Sequence, residues 1–75
     1  MYLYIVEAGQ NVNIKTPYEM IDQQIEQASA EVIKNTSTYD NGWIITMTQY
    51  ADRIEILSNK ELIQTGDGSY AINES

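Results

Sequence analysis

The residues in this chain that could do chemistry are carboxylates: Glu19, Asp22 and Glu26 close together, then Asp40, Asp52, Glu55 and Asp67 spread through the second half. Carboxylates serve a protein in two ways. A close pair in a cleft that drives their pKa values apart runs general acid–base catalysis, whereas a row on a rigid surface pairs with lysine and arginine of a partner. Other residues favour the second use. With no histidine and no cysteine, Ser-His and Cys-His nucleophiles cannot be built, and 75 residues leave little room for a cleft. We therefore expect no enzyme activity. The same absences remove a disulfide scaffold and the usual zinc ligands. Asp40-Asn41-Gly42 lacks the alternating oxygen ligands and closing glutamate of a calcium loop. Gly66-Asp67-Gly68 lacks the lysine of a phosphate loop. No metal and no cofactor is expected.

Eleven acidic against four basic residues give a net charge of −7, which repels nucleic acid and anionic membranes and attracts basic protein surfaces. The same charge also serves to keep a small domain soluble. Six tyrosines and no phenylalanine are the second unusual feature, since tyrosine joins a large apolar area to a hydroxyl that tolerates water. Tyr4, Tyr50 and Tyr70 fit sheet packing and Trp43 fits the core. Tyr39, in a polar stretch, and Tyr2, near the first residues, are candidate contacts with another chain.

These side chains need elements to hold them. Thr16-Pro17-Tyr18-Glu19 reads as a capping box with proline in the first turn. Ile21, Ile25, Ala28 and Val32 then recur at helical spacing, which predicts a helix over 16–34. On it, Glu19, Asp22 and Glu26 share a flank over roughly 10 Å. Residues 1–7 read as a strand, with 12–14 as a short second strand completing a hairpin. The run 35–42 is rich in residues that bond their own backbone and reads as a loop. Strands follow at 43–50, with Trp43, Ile45 and Met47 facing the helix, and at 53–57. Residues 60–65 fit a strand that continues the meander, although Ser58-Asn59-Lys60-Glu61 also fits the cap of a short helix. Gly66-Asp67-Gly68 leads to a last hairpin arm at 69–72. The expected fold is α+β, one domain over 1–75: a single helix packed on a four- to five-stranded antiparallel sheet, in the order β-(β)-α-β-β-β-β.

The start of the chain has no basic segment and only a short apolar run, which points to neither a secretory signal nor a membrane span and suggests the cytoplasm. On that basis the glycosylation patterns at 35–37 and 73–75 are chance.

In length, acidity and lack of catalytic residues the chain resembles the small DNA-mimic inhibitors made by bacteriophages. Their targets include nucleoid proteins such as HU, uracil-DNA glycosylase, restriction enzymes and CRISPR nucleases. The resemblance implies an inhibitor that occupies the nucleic-acid site of a basic DNA-binding protein in a bacterial host. Glu19, Asp22, Glu26, Asp40, Asp52, Glu55 and Asp67 would then stand for phosphates, with Tyr39 adding apolar contact; a homodimer would double the charged strip. The alternative is an assembly module that pairs through a sheet edge or a tyrosine-bearing face.

Overall fold

Apolar and polar residues alternate with a period of two at 12–15, 45–48 and 53–56. In the computed structural model, which describes residues 1–73, the chain forms eight strands and no helix. β1 (Tyr2–Glu7), β6 (Arg53–Ser58), β5 (Ile44–Gln49), β4 (Ile33–Tyr39) and β3 (Met20–Gln27) lie side by side in that order, each neighbouring pair antiparallel. A smaller sheet has β8 (Ser69–Ile72) at its centre, antiparallel to β7 (Leu62–Gly66) and parallel to β2 (Asn13–Ile14). Asn73 closes the described region, so the 73–75 glycosylation pattern falls partly outside it.

The α+β expectation is overturned: the chain is all-β, and the stretch expected to be helical is β3, a tight connection and the start of β4. Ile21 and Ile25 are four residues apart, and four is both close to one helical turn and twice the strand repeat, so that spacing serves either element. Pairing decides between them. Asp22, Gln24 and Glu26 align with Thr38, Thr36 and Lys34 of β4, with a bulge between Met20 and Asp22. A helix would have left that edge of β4 without partners. The Thr16 hydroxyl accepts from the Tyr18 N–H at 3.1 Å, a local turn rather than a helix cap. At the other end, Val32 C=O accepts from Ala28 N–H at 2.9 Å and turns β3 into β4 without glycine, proline or asparagine.

Three further expectations change with it. The loop placed at 35–42 is β4 as far as Tyr39, and only Asp40-Asn41-Gly42 remains as a turn, with Gly42 at φ +85°. β2 does not form a hairpin with β1; it runs parallel to β8, through Asn13 N–H to Gly68 C=O at 2.6 Å and Lys15 N–H to Tyr70 C=O at 2.9 Å. The meander breaks after Ser58, because β7 pairs with β8 and not with β6.

The core lies between the two sheets. Val6, Tyr39, Trp43, Ile45, Ile56 and Leu62 are buried, and Tyr4, Met47, Ile54 and Tyr70 pack around them. Trp43, Ile45 and Met47 thus face inward, toward a sheet and not a helix. Trp43 is fully buried and stacks on Tyr39 with ring centroids 4.6 Å apart. Its indole N–H donates to the Ser58 hydroxyl at 2.8 Å. That oxygen also accepts from Lys60 N–H and donates to Lys60 C=O, so one buried hydroxyl holds both the tryptophan and the passage from β6 to β7. On the other side, the Tyr4 hydroxyl accepts from Leu62 N–H at 2.8 Å and ties β1 to β7.

Gly68 supports the small sheet. It sits at φ +70°, and a Cβ there would meet the Asn11 carbonyl oxygen at 2.0 Å. Gly68→Ala should destabilise by about 2 kcal/mol or more through strain and displacement of β2. Ser58→Ala, which strands the buried indole N–H, should lose about 1–3 kcal/mol. Denaturant unfolding followed by Trp43 fluorescence measures both.

Candidate interaction surfaces

Strand residues alternate between faces, so the register that buries Val6, Ile45 and Ile56 sends their neighbours to the outer face of the large sheet. That face divides in two. On the β1, β6 and β5 half, Leu3 stands directly opposite Leu57, Ile5 is the next outward residue of β1, and Ile44 lies diagonal to Leu57. All four remain open to solvent: Leu3 is 57% exposed, Ile5 61%, Ile44 40% and Leu57 37%. Nothing in the small sheet reaches this side, and β1 ends the sheet with no strand beyond it among the described residues.

The other half is polar. Thr36 and Thr46 share a hydroxyl contact at 3.3 Å, and Asp22, Gln24 and Glu26 form the outward row of β3. Lys34 stands opposite Glu26. At the β5–β6 turn, Arg53 bonds Glu55 and Asp52, each at 2.9 Å, and its guanidinium lies 4.1 Å from the centre of the Tyr50 ring. The hydrogen bond to Glu55, opposed by partial burial and supported by Asp52, raises the Arg53 pKa above its ordinary value.

The acids named from the sequence are therefore divided among three places. The Glu19 carbonyl accepts from Asp40 N–H at 2.9 Å, which puts these two residues at one corner, and Asp22 and Glu26 continue along β3. All four are exposed. They share a side of the molecule, on an edge strand instead of a helix flank. Asp52 and Glu55 are engaged by Arg53 at another corner. Asp67 lies in the β7–β8 turn of the small sheet. Tyr39 is not in a polar loop; it is 9% exposed and stacked on Trp43, because it ends β4 with its side chain inward.

The apolar half of the outer face was missed. Its signal was present in Leu3-Tyr4-Ile5-Val6 and Ile44-Ile45, where consecutive apolar residues put a large side chain on each face, but a strand covered on both faces looks the same. Inside, the small sheet leaves part of the large one uncovered, and a shallow groove runs between Gln10–Val12 and the side chains of Ile33, Met47 and Ile54. Among the described residues, no three Asp, Glu, His or Cys side chains converge as metal ligands would, and no helix is long and apolar enough to cross a membrane. No protein-family model, curated protein or solved structure matches the chain.

Since Glu19, Asp22 and Glu26 are exposed, the triple variant Glu19→Gln/Asp22→Asn/Glu26→Gln should fold with stability within about 0.5 kcal/mol of the parent. Thermal unfolding by circular dichroism tests this.

Proposed function

We propose that the protein is a non-catalytic assembly module of the cytoplasm that binds a partner protein through the β1 side of its large sheet. One observation carries the reading: Leu3, Ile5, Ile44 and Leu57 adjoin on an otherwise polar face, beside an open strand edge. Contiguous exposed apolar side chains rimmed by polar ones are how interaction sites differ from ordinary surface. Alternation supplies the second component. Ala8 N–H donates to Asp52 C=O, so the even residues of β1 aim their main-chain groups at β6, and those of Leu3, Ile5 and Glu7 face the free edge. An extended segment added there would pair with this edge and lay alternate apolar side chains over the patch.

A second reading follows from the acids along β3. Glu19, Asp22, Glu26 and Asp40 carry negative charge on one side with Lys34 as the nearby cation, which suits the basic nucleic-acid site of a DNA-binding protein and the inhibitor role of a DNA mimic. The two readings differ in their response to salt. Binding driven by the apolar patch changes little between low and high ionic strength, whereas carboxylate pairing with lysine and arginine is screened.

Affinity capture with three forms of the protein separates them: the parent, Leu3→Ser/Ile5→Thr/Leu57→Thr, and Asp22→Asn/Glu26→Gln. We expect a salt-resistant partner held by the parent and the acid variant and lost, at least tenfold, by the patch variant. A partner that salt or DNA displaces, and that the acid variant alone loses, would establish mimicry in its place.

A further inference from the structure

The β3 edge is open like that of β1, and its chemistry differs. Every residue of Met20–Gln27 is exposed, and no strand lies beyond it among the described residues. The direction of its main-chain groups follows from the turn. Ala28 N–H donates across to Val32 C=O, so by antiparallel alternation Glu26, Gln24 and Asp22 aim at β4, and Gln23, Ile25 and Gln27 aim outward. These three also share a face, the one opposite Ser37, Asn35 and Ile33. Read along the strand they are Gln-Ile-Gln, the same in both directions. An isologous antiparallel pair sets residues equidistant from its axis against each other, so these outward positions place isoleucine on isoleucine and glutamine on glutamine.

We propose that the protein forms a two-fold homodimer in which β3 pairs antiparallel with β3 of a second copy, centred on Ile25. In that register Ile25 meets Ile25 of the second copy, and Gln23 meets Gln27 in both senses. The three residue pairs exchange about six main-chain hydrogen bonds. The Ile25 side chain, 68% exposed in the single chain, packs against its symmetry mate. On the outer face Glu26 falls opposite Gln24, whose amide donates to a carboxylate, and Asp22 falls opposite Ala28. Competing registers do worse. Centring on Gln24 sets Asp22 directly against Glu26 twice, a like-charge opposition that destabilises a strand pair. Centring on Gln23 runs Ile25 into the bulge beside Ile21, where the pairing of β3 is already shifted. Centring on Gln27 runs the strand into the 28–32 turn.

The dimer joins two large sheets into one. Because the axis is perpendicular to the sheet, both outer faces point the same way, with the Leu3 and Leu57 patches at opposite ends and the β3 acids in the middle. Edge pairing of this length falls below about 1,200 Å² of buried surface, which places the dimer among weak associations in the micromolar range. Each copy carries −7, so salt, which screens the mutual repulsion, tightens the dimer.

Sedimentation equilibrium from ~1 µM to ~1 mM at low and high salt tests association. A monomer–dimer equilibrium is expected, at least threefold tighter in high salt. Ile25→Pro removes an outward N–H that β4 does not use and should weaken the dimer at least tenfold; Ile25→Lys sets two cations on the axis and should do the same while keeping a side chain that strands accept. Register is read with single cysteines, since the chain has none of its own. Crosslinking by a short bis-maleimide should peak at Ile25→Cys and fall at Gln23→Cys and Gln27→Cys. A monomer throughout, a dimer that both Ile25→Pro and Ile25→Lys leave intact, or equal crosslinking at 23 and 25 would overturn the proposal. The Ile25 variants and the crosslinking leave the β1 patch untouched, so a dimer formed through that patch survives them.

Discussion

One buried hydrogen bond, from the Trp43 indole to the Ser58 hydroxyl, organises the molecule. Trp43 is the largest side chain removed from water, and its polar atom needs a partner wherever the ring is placed. Ser58 provides it from the end of β6, at the point where the chain leaves one sheet for the other, and its bonds to Lys60 hold that departure. The tryptophan therefore fills the space between the sheets and fixes the path that creates the second sheet. Asn59 adds to the same corner: its side chain accepts from Ile44 N–H and donates to Gly42 C=O, which extends the β5–β6 ladder past the strand ends. With so small a core, little else is available to set the angle at which the sheets meet.

The surfaces follow from unequal sizes. A three-stranded sheet cannot cover a five-stranded one, so the protection it gives reaches β1, β6, β5 and the Ser37–Tyr39 end of β4, and β3 is left with neither face covered. Edge strands left open are a hazard that proteins usually blunt with charge, bulges or proline. β3 has two of these, the Met20/Asp22 bulge and the acids of its outer row, while β1 has only Glu7 at its end and carries Leu3 and Ile5 in the open. The contrast gives the two edges different selectivities. One is apolar and indifferent to charge; the other is guarded by carboxylates except in registers that keep them apart.

The strands of the second half were legible because their residues announce them: Trp43 to Gln49 and Arg53 to Leu57 combine alternation with β-branched and aromatic side chains, and Asp67-Gly68 marks a hairpin. The region before them was not. Gln and Glu are good helix formers, isoleucines four apart satisfy both periods, and the turn at 28–32 contains none of the residues that punctuate hairpins. Thr16 and Glu19 imitated a helix start because a hydroxyl bonding a nearby N–H is common to caps and turns. The partnership of β3 and β4 is a long-range fact about which edge needs covering, and local propensity does not encode it. The acids were recognised by type, but their division among three corners depends on strand order, which no local pattern determines.

The pairing of β1 with β6 and of β2 with β8 has a consequence for how the molecule comes into being. Both strands from the start of the chain find their neighbours near its end, at residues 53–58 and 69–72. Such distant closures carry a loop entropy that must be met before any contact rewards it, and they place the domain among slow folders for its size. During synthesis, the hairpins β3–β4 and β4–β5 are complete while Tyr2–Glu7 still lacks a neighbour, so Tyr4 and Val6 join Leu3 and Ile5 in water until β6 emerges. The same Leu3 and Ile5 that distinguish the finished surface are thus the residues most exposed to chance encounters on the way to it.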